Sequence, residues 1–473
     1  MRGAFFRTFA MLSGLALGGC AVQHYQAAPI VPAETSARLE SRSLSDPGLR
    51  SFVEKTLGQT APAWPPATWD LRTLSVAALY FNPALDAARA RVEEADAATI
   101  TAGARPNPVL DVVPGVPSPY LFSFDLMFPV ETAGKRSYRI QTASSMDQAA
   151  RFDLAEAAWK VRSGVRAALL EYMVATHKSA LLGAEERLQS TQANLLQERL
   201  AAGEIARTEL DAAQIAFSQT QLEIATAEGQ AAEARAKLAA AIGVPLTAVD
   251  GMELSWNDFD SPPSVDSFSS GQIQSDAVLN RMDVRRALAE YAAAQSRLQL
   301  EIAKQYPDLQ IEPGYTYEER DNYFTLGLSA TLPIFNRNQG PIAEAEAKRK
   351  EAAANFLQTQ AQVIAESEEA LTAYTSALRG LTASDQSLQR SVERNRLRMV
   401  QRAAQVGEED QVAVNTVALE GNALDQARLD TVMQAQAALG ALEDAVQRPL
   451  DPSDTFPNMN ALTEPLSAKE PSR

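Results

Sequence analysis

Cys20 is the only cysteine in the chain, and its surroundings give it a chemistry. Arg2 and Arg7 flank an apolar stretch from Phe9 to Leu17, which runs into Leu17-Gly18-Gly19-Cys20. That is the layout of a bacterial export signal, in which small residues let a peptidase approach the cleavage point. L-G-G-C resembles a lipoprotein processing box, which implies that the thiol takes a diacylglycerol; the alternative is an incidental cysteine in the signal peptide of a soluble periplasmic protein. With Ala21 rather than Asp following, the resemblance to such sorting signals implies the outer membrane. Removing residues 1–19 takes away Arg2 and Arg7 and moves the formal charge from −16 to −18, so the acidity belongs to the exported body.

The second chemically distinctive set is acidic. Gly203 is followed by Glu204, Glu209 and Asp211, and Gly407 by Glu408, Glu409 and Asp410. Carboxylates gathered at a turn attract cations. They also suit a helix N-terminus, at about 0.3 to 1 kcal/mol each, so two readings stand side by side. Nothing supports catalysis. His24 lies in the N-terminal linker and His177 stands alone on a helix. There is no serine-histidine-acid set, no phosphate loop and no clustered site for a metal, and no cofactor is implied beyond a covalent lipid on Cys20. The acidic balance argues against nucleic acid, and a single cysteine excludes a disulfide scaffold. No run of about 20 apolar residues occurs beyond the N-terminus.

The elements that carry these residues occur twice. F-N-P-A-L-D-A-A-R-A-R-V around Pro83 returns as L-N-R-M-D-V-R-R-A-L-A-E around Asp283, and the segment after Pro108 returns after Pro307. L-M-F-P-V-E-T-A-G-K-R at 126–136 matches A-T-L-P-I-F-N-R-N-Q-G at 330–340, and R-L-A-A-G-E matches A-A-Q-V-G-E. Offsets of 199 to 204 residues over four landmarks are a duplication. Each copy reads as a helix, two strands, a long helix and a shorter helix. In the first copy the helices are expected at about 75–104, 141–202 and 206–242, the long one roughly 90 Å in length. In the second, Pro341 is expected at the first helical position of a helix reaching about Gln405. Leu181, Leu188, Leu195 and Ala202 recur every seven residues, as do Leu371, Leu378, Val392, Met399 and Val406 with Asp385 interrupting, which predicts coiled-coil-like packing.

Between the helices the period changes to two. Phe122, Phe124, Leu126 and Phe128 alternate with Ser123, Asp125 and Met127, and Phe324, Leu326, Leu328, Ala330 and Leu332 alternate with Thr325, Gly327, Ser329 and Thr331. Strands of about ten residues with one continuous apolar face are what a tilted transmembrane β-barrel requires. Four strands cannot close a barrel, and an open edge is not tolerated in lipid, so a membrane-embedded chain must associate with copies of itself; two soluble amphipathic hairpins packed on the helices, which need no oligomer, are the alternative. Tyr120, Tyr315, Tyr317 and Tyr323 near strand ends suit an aromatic girdle.

This order of export signal, helix, hairpin, long helix and short helix, repeated once from about residue 70 to 448, resembles the outer-membrane efflux protein family of TolC-like channel-tunnels. The resemblance implies a mainly α fold with a small membrane β part: a homotrimer with a helical barrel and a 12-stranded β-barrel, four strands from each chain. It implies passive export of substrate delivered by a periplasmic adaptor and an inner-membrane pump. Within the family, P-V-E-T-A-G-K-R looks like the P-x-E-x-x-G-K-R stretch of the cobalt-zinc-cadmium resistance branch, carried here by Pro129, Glu131, Gly134, Lys135 and Arg136, whose pumps are of the resistance-nodulation-division class. The same residues could instead form only a turn and a solvated flank. Heavy-metal cations are the implied cargo, with drugs or other organic compounds as the alternative, and a lipid-anchored coiled-coil scaffold without a pore as the rival of a different class. By the same resemblance the acidic residues past Gly203 and Gly407 ring the periplasmic tip, with Glu209 at a matching position and Ala413 where its second-copy counterpart would be.

The expected organisation is a signal peptide over 1–19, an extended tether over 20–70 and a first repeat over 71–243 with strands at about 107–116 and 121–130 and a hairpin at about 141–242. An equatorial loop over 244–275 follows. The second repeat spans 276–448, with strands at about 308–318 and 323–333 and a hairpin at about 341–447, and a polar tail covers 449–473.

Overall fold

A computed structural model describes residues 23–60, 63–115, 121–264, 268–385, 387–406 and 410–450. They fall into two units divided after Arg42. The first contains helix α1 (Pro32–Glu40), which buries no side chain. The second holds every other described element.

The expected tether is helical in part. In α2 (Pro47–Leu57) the Asp46 carboxylate accepts the N–H groups of Gly48 and Leu49, and Pro47 presets the first turn. Leu49 and Val53, one turn apart, are buried with Leu44 and Trp69. A composition rich in proline and serine hides this because one cap and two apolar residues suffice to dock a short helix.

The first helix of each copy is broken where a single helix was expected. Pro83 has no N–H to give and crowds the turn before it, so α3 (Leu71–Phe81) stops and α4 (Pro83–Gly103) starts afresh. Asn82, between them, accepts the Ala84 N–H and donates to the Ala241 carbonyl at 2.9 Å. The second copy breaks at Arg281, between α8 (Ser270–Asn280) and α9 (Met282–Ala303), and Arg281 donates to the Ala445 carbonyl at 3.4 Å. The two breaks lie 199 residues apart and the two acceptors 204, the offsets read from the sequence. Different side chains thus make the same joint twice.

Strands β1 (Val109–Gly115) and β2 (Leu121–Val130) lead into α5 (Lys135–Ala202), whose 68 residues rise about 100 Å. This helix begins six residues before the expected 141, because Gly134 takes a left-handed φ of 73° and turns the chain straight into its first turn. Gly203, with φ 77°, ends it, and α6 (Arg207–Ile242) returns along it. Leu246–Val249 and α7 (Asn257–Asp260), each a single turn, connect the copies. In the second copy come β3 (Leu309–Glu318), β4 (Asp321–Ala330), α10 (Gln339–Asp385), α11 (Ser387–Gln405) and α12 (Gln411–Val446). Pro341 is the third residue of α10 rather than the first, still within the turn whose N–H groups have no partner inside the helix. Leu332 lies beyond the end of β4.

The copies meet along α5 and α12 through buried polar groups. Arg162, 1% exposed, donates to Glu443 at 3.1 Å; Arg166 donates to the Gln436 carbonyl and side chain at 2.7 and 2.8 Å; Gln436 in turn donates to the Phe259 carbonyl. Leu450, at the start of the expected polar tail, is buried and gives its N–H to Glu443, so the chain is still part of the core at that point. Residues 451–473 lie outside the described residues. Further along the seam Asn415 donates to the Leu188 carbonyl at 2.7 Å and Asn422 to the Leu181 carbonyl at 2.9 Å. Asn415, Asn422, Leu429 and Gln436 are spaced by seven, and buried amides at such positions fix register at some cost in stability.

The seam makes a paired prediction. A Cβ on Gly440 would lie 2.5 Å from an Arg166 guanidinium nitrogen, whereas one on Gly421 would meet nothing. Gly440→Val is expected to lower stability by about 1 to 3 kcal/mol, while Gly421→Ala raises it by about 0.5 to 1 kcal/mol, read from thermal unfolding in detergent.

Candidate functional site: a two-faced sheet, its joint and the helical tip

The four strands form one antiparallel sheet in the order β1-β2-β3-β4. Register sorts its side chains into two faces. On one, Leu110 faces Leu126, Val112 faces Phe124, Phe124 faces Tyr315 and Tyr315 faces Phe324; Phe128, Ile311 and Leu328 form a further row. This face is exposed: Phe122 is 44% accessible, Phe124 40%, Phe324 84% and Leu326 78%, with Phe128, Leu328 and Leu332 also exposed and Leu126 half-buried. The opposite face carries Asp111, Asp125, Gly314 and Thr325 in one row and Glu312 beside Gly327. Gly314 is required there, since a Cβ would collide with the Asp125 carboxylate and the Thr325 hydroxyl. Of the four tyrosines expected at a girdle, Tyr315 and Tyr317 lie on the apolar face, Tyr323 pairs with Thr316 on the polar one, and Tyr120 is outside the described residues. Alternation by two, rather than nearness to a strand end, decided which of them share the apolar face.

The stretch from Pro129 to Arg136 is the joint between this sheet and the helices. Pro129 pairs with Gln310, Glu131 bonds Arg139, and Gly134 makes the turn. Lys135 is not a solvated flank. It is 7% exposed and its ammonium donates to the Tyr306 carbonyl and to Asp308, both at 2.7 Å, across the boundary between the copies. Thr132 adds its N–H to Asp308 at 2.9 Å and its hydroxyl to the Pro307 carbonyl at 2.6 Å. Arg136 donates to the Gly103 carbonyl and Arg139 to those of Ala102 and Ala104, serving the orphan carbonyls at the end of α4. Burial alone would raise the Asp308 carboxyl, but the hydrogen bonds from Lys135 and Thr132 and the ammonium charge outweigh it and hold it below its ordinary value.

At the far end of α5 the acidic residues have local partners. The Glu209 carboxylate turns back to accept the Ala206 N–H at 3.4 Å, one of the bonds that start α6. Asp211 lies 3.7 Å from Arg207 and Glu204 4.0 Å from Arg199. Arg199 also pairs with Asp410, which joins the two repeats at this end. Gly407, Glu408 and Glu409 lie outside the described residues, as does Cys20. His177 Nδ1 donates to the Met173 carbonyl, 2.9 Å away, and the ring packs against Trp256, with ring centroids 4.5 Å apart. No group of three or more metal-binding side chains occurs among the described residues. The buried amides of α12 escaped sequence reasoning, although their seven-residue spacing was a usable signal.

Residues 74–244 match the outer membrane efflux protein family. The match covers the first copy, whose plan the second repeats. The cobalt-zinc-cadmium resistance protein CzcC of Cupriavidus metallidurans is 26% identical over 284 residues, 59% of this chain and 66% of that protein. The pyoverdine export outer membrane protein OpmQ of Pseudomonas aeruginosa is 25% identical over 299 residues, 57% of this chain and 62% of that protein. The alignments thus span just under two thirds of these relatives' own lengths. The fold matches that of the Campylobacter jejuni CmeC outer membrane channel with a TM-score of 0.65 at 14% identity, over 94% of this chain and 98% of that one.

The joint yields a pH prediction. Because the folded-state carboxyl of Asp308 lies below its unfolded value, its contribution is fully present above that unfolded value, about 3.9, and is lost as pH falls through the lower folded one. The melting temperature of Asp308→Asn should therefore lie below wild type between about pH 5 and 8, and the gap should begin to narrow below about pH 4 and close only once the pH is under the lowered folded value.

Proposed function

We propose that the protein is the outer-membrane channel subunit of a tripartite efflux system, passively exporting substrate delivered by a periplasmic adaptor and an inner-membrane pump of the resistance-nodulation-division class. The observation that carries this reading is the four-stranded sheet, exposed on its apolar face and open along β1 and β4. Unpaired backbone groups cannot stand in lipid, so the sheet enters a membrane only when its edges are closed by other copies. Three chains would bring twelve strands into one barrel. The helices support the same closure. Successive contacts run from α6 through α5 to α12 and on to α10 and α11, so α6 and α11 are the outer members of the layer. Both flanks show exposed apolar residues seven apart: Ile215 and Leu222 on α6, and Met399 on α11 with Val406 just past its end. A ring formed by edge-to-edge contact covers both stripes.

In this assembly residues 1–19 are the signal peptide, Cys20 carries the lipid, the repeats span 71–243 and 276–448, and the exposed aromatic face meets outer-membrane lipid. Gly203, Glu204, Glu209 and Asp211, with Gly407, Glu408, Glu409 and Asp410, form the tip on the periplasmic side. Heavy-metal cations are the favoured cargo. What supports this is the P-x-E-x-x-G-K-R stretch, the similarity to a cobalt-zinc-cadmium resistance protein, and the carboxylates Asp111, Asp125 and Glu312 on the polar face of the sheet. The similarity to a pyoverdine exporter favours organic cargo as the second reading.

Purified protein in planar bilayers is expected to give single-channel conductance with cation preference. No conductance, with strands open to protease in the presence of lipid, would leave a scaffold instead. Glu209→Ala should raise the conductance of the resting channel, and an unchanged value removes it from the gate. Counting about 1.5 Å per residue from the turns, Ile215 and Met399 stand at similar heights, so a protein carrying Ile215→Cys and Met399→Cys should oxidise to covalent trimers. Monomers alone would break the edge-to-edge ring.

A further inference from the structure

We propose that the rim of the sheet nearest the helices binds the phosphate headgroups of anionic phospholipids in the leaflet on that side. This rests on the reading that the sheet is membrane-embedded, and adds to it a ligand class and the residues that take it.

All four strands have one end at this rim, where segments 104–108, 131–136, 304–308 and 331–338 connect them to helices. These segments carry Arg105, Lys135, Arg136, Lys304 and Arg337 against only Glu131 and Asp308. At the other end of β3 and β4 stand Glu318, Glu319 and Asp321 with Arg320. In a chain of net charge −16, the helix-side rim is thus locally reversed in sign. Lys135 is committed to Asp308 and Lys304 to Glu301. Arg105, Arg136 and Arg337 are exposed and have no carboxylate partner among the described residues; Arg136 donates to the Gly103 carbonyl.

The same rim is apolar. Leu332 is 69% exposed, Ile334 66% and Phe335 99%, and Tyr306 lies among them in the chain's return to β3. They continue the exposed band of Phe324, Leu326 and Leu328 past the end of β4. The loop that presents them is held in place. Asn338, with φ of 64°, donates its side-chain amide to the Glu301 carbonyl at 2.7 Å and carboxylate at 2.9 Å, and Lys304 holds that carboxylate from the other side. Exposed apolar and aromatic groups fixed next to guanidinium groups without carboxylate partners match the boundary of a bilayer, where acyl chains end and phosphates begin. Charge complementarity and continuity with the apolar band select a phospholipid as the occupant, and each cation near such a surface adds several-fold to its attraction.

The test compares spin-labelled phosphatidylglycerol with spin-labelled phosphatidylcholine around the full-length protein in vesicles of the two lipids at three to one phosphatidylcholine. Wild type should associate with phosphatidylglycerol about threefold or more over phosphatidylcholine at low salt, and the ratio should fall toward one at high salt. Arg105→Gln/Arg337→Gln, which leaves the joint residue Arg136 in place, should abolish the preference while keeping trimers and conductance. Arg91→Gln/Arg187→Gln, which removes exposed cations on the helices away from the rim, should keep it. Equal association of both lipids with wild type, or a preference that survives the rim substitutions, overturns the proposal. Loss of trimers by the rim variant in both lipids, without a wild-type preference, would mean that a second copy covers the rim, and also overturns it. Failure of wild type to float with either vesicle is a different result, since it removes the membrane reading itself and the rim site with it.

Discussion

A strand at the edge of a sheet leaves half of its N–H and C=O groups unpaired, and that requirement governs how this chain can be used. β1 and β4 are both edges, and the face between them is aromatic and exposed. In water such a sheet invites aggregation, and in lipid it is forbidden until closed. The proposed ring answers both at once, because the outer helices α6 and α11 expose apolar stripes on the same flanks where the sheet is open. One association then covers the strands and the helices together.

Duplication supplies the rest of the architecture. Two copies must be held at a fixed relation for their strands to pair in one sheet, and the chain does this with buried polar groups. Lys135 and Thr132 of the first copy grip Pro307 and Asp308 of the second directly above the helices. Arg162 and Arg166 grip Glu443 and Gln436 midway, and Asn415 and Asn422 hold carbonyls of α5 further along. Such contacts add little net stability compared with apolar packing, but they are satisfied in only one register, which a seam of alanines and leucines would not enforce.

Much of this was legible in the sequence. The offsets of 199 and 204 reappear as equivalent joints at Asn82 and Arg281, and alternation by two assigned the faces of the strands correctly at Phe122, Phe124, Phe324 and Leu326. What escaped were events set by one or two atoms. Pro83 breaks a helix that periodicity carries through, Asp46 starts one where composition reads as tether, and Gly134 starts α5 early. Lys135 reads as a solvated cation because nothing local says that Asp308, 173 residues later, will lie 2.7 Å away.

The sequence by itself determined the element types, the internal repeat and the two-faced strands, because each depends on periodicity or spacing within one segment. Tertiary structure decided the partners: which carboxylate takes Lys135, which carbonyls accept Asn415 and Asn422, and that Glu209 caps its own helix. Those choices depend on distances between segments far apart in the chain, and such distances exist only once the helices have packed.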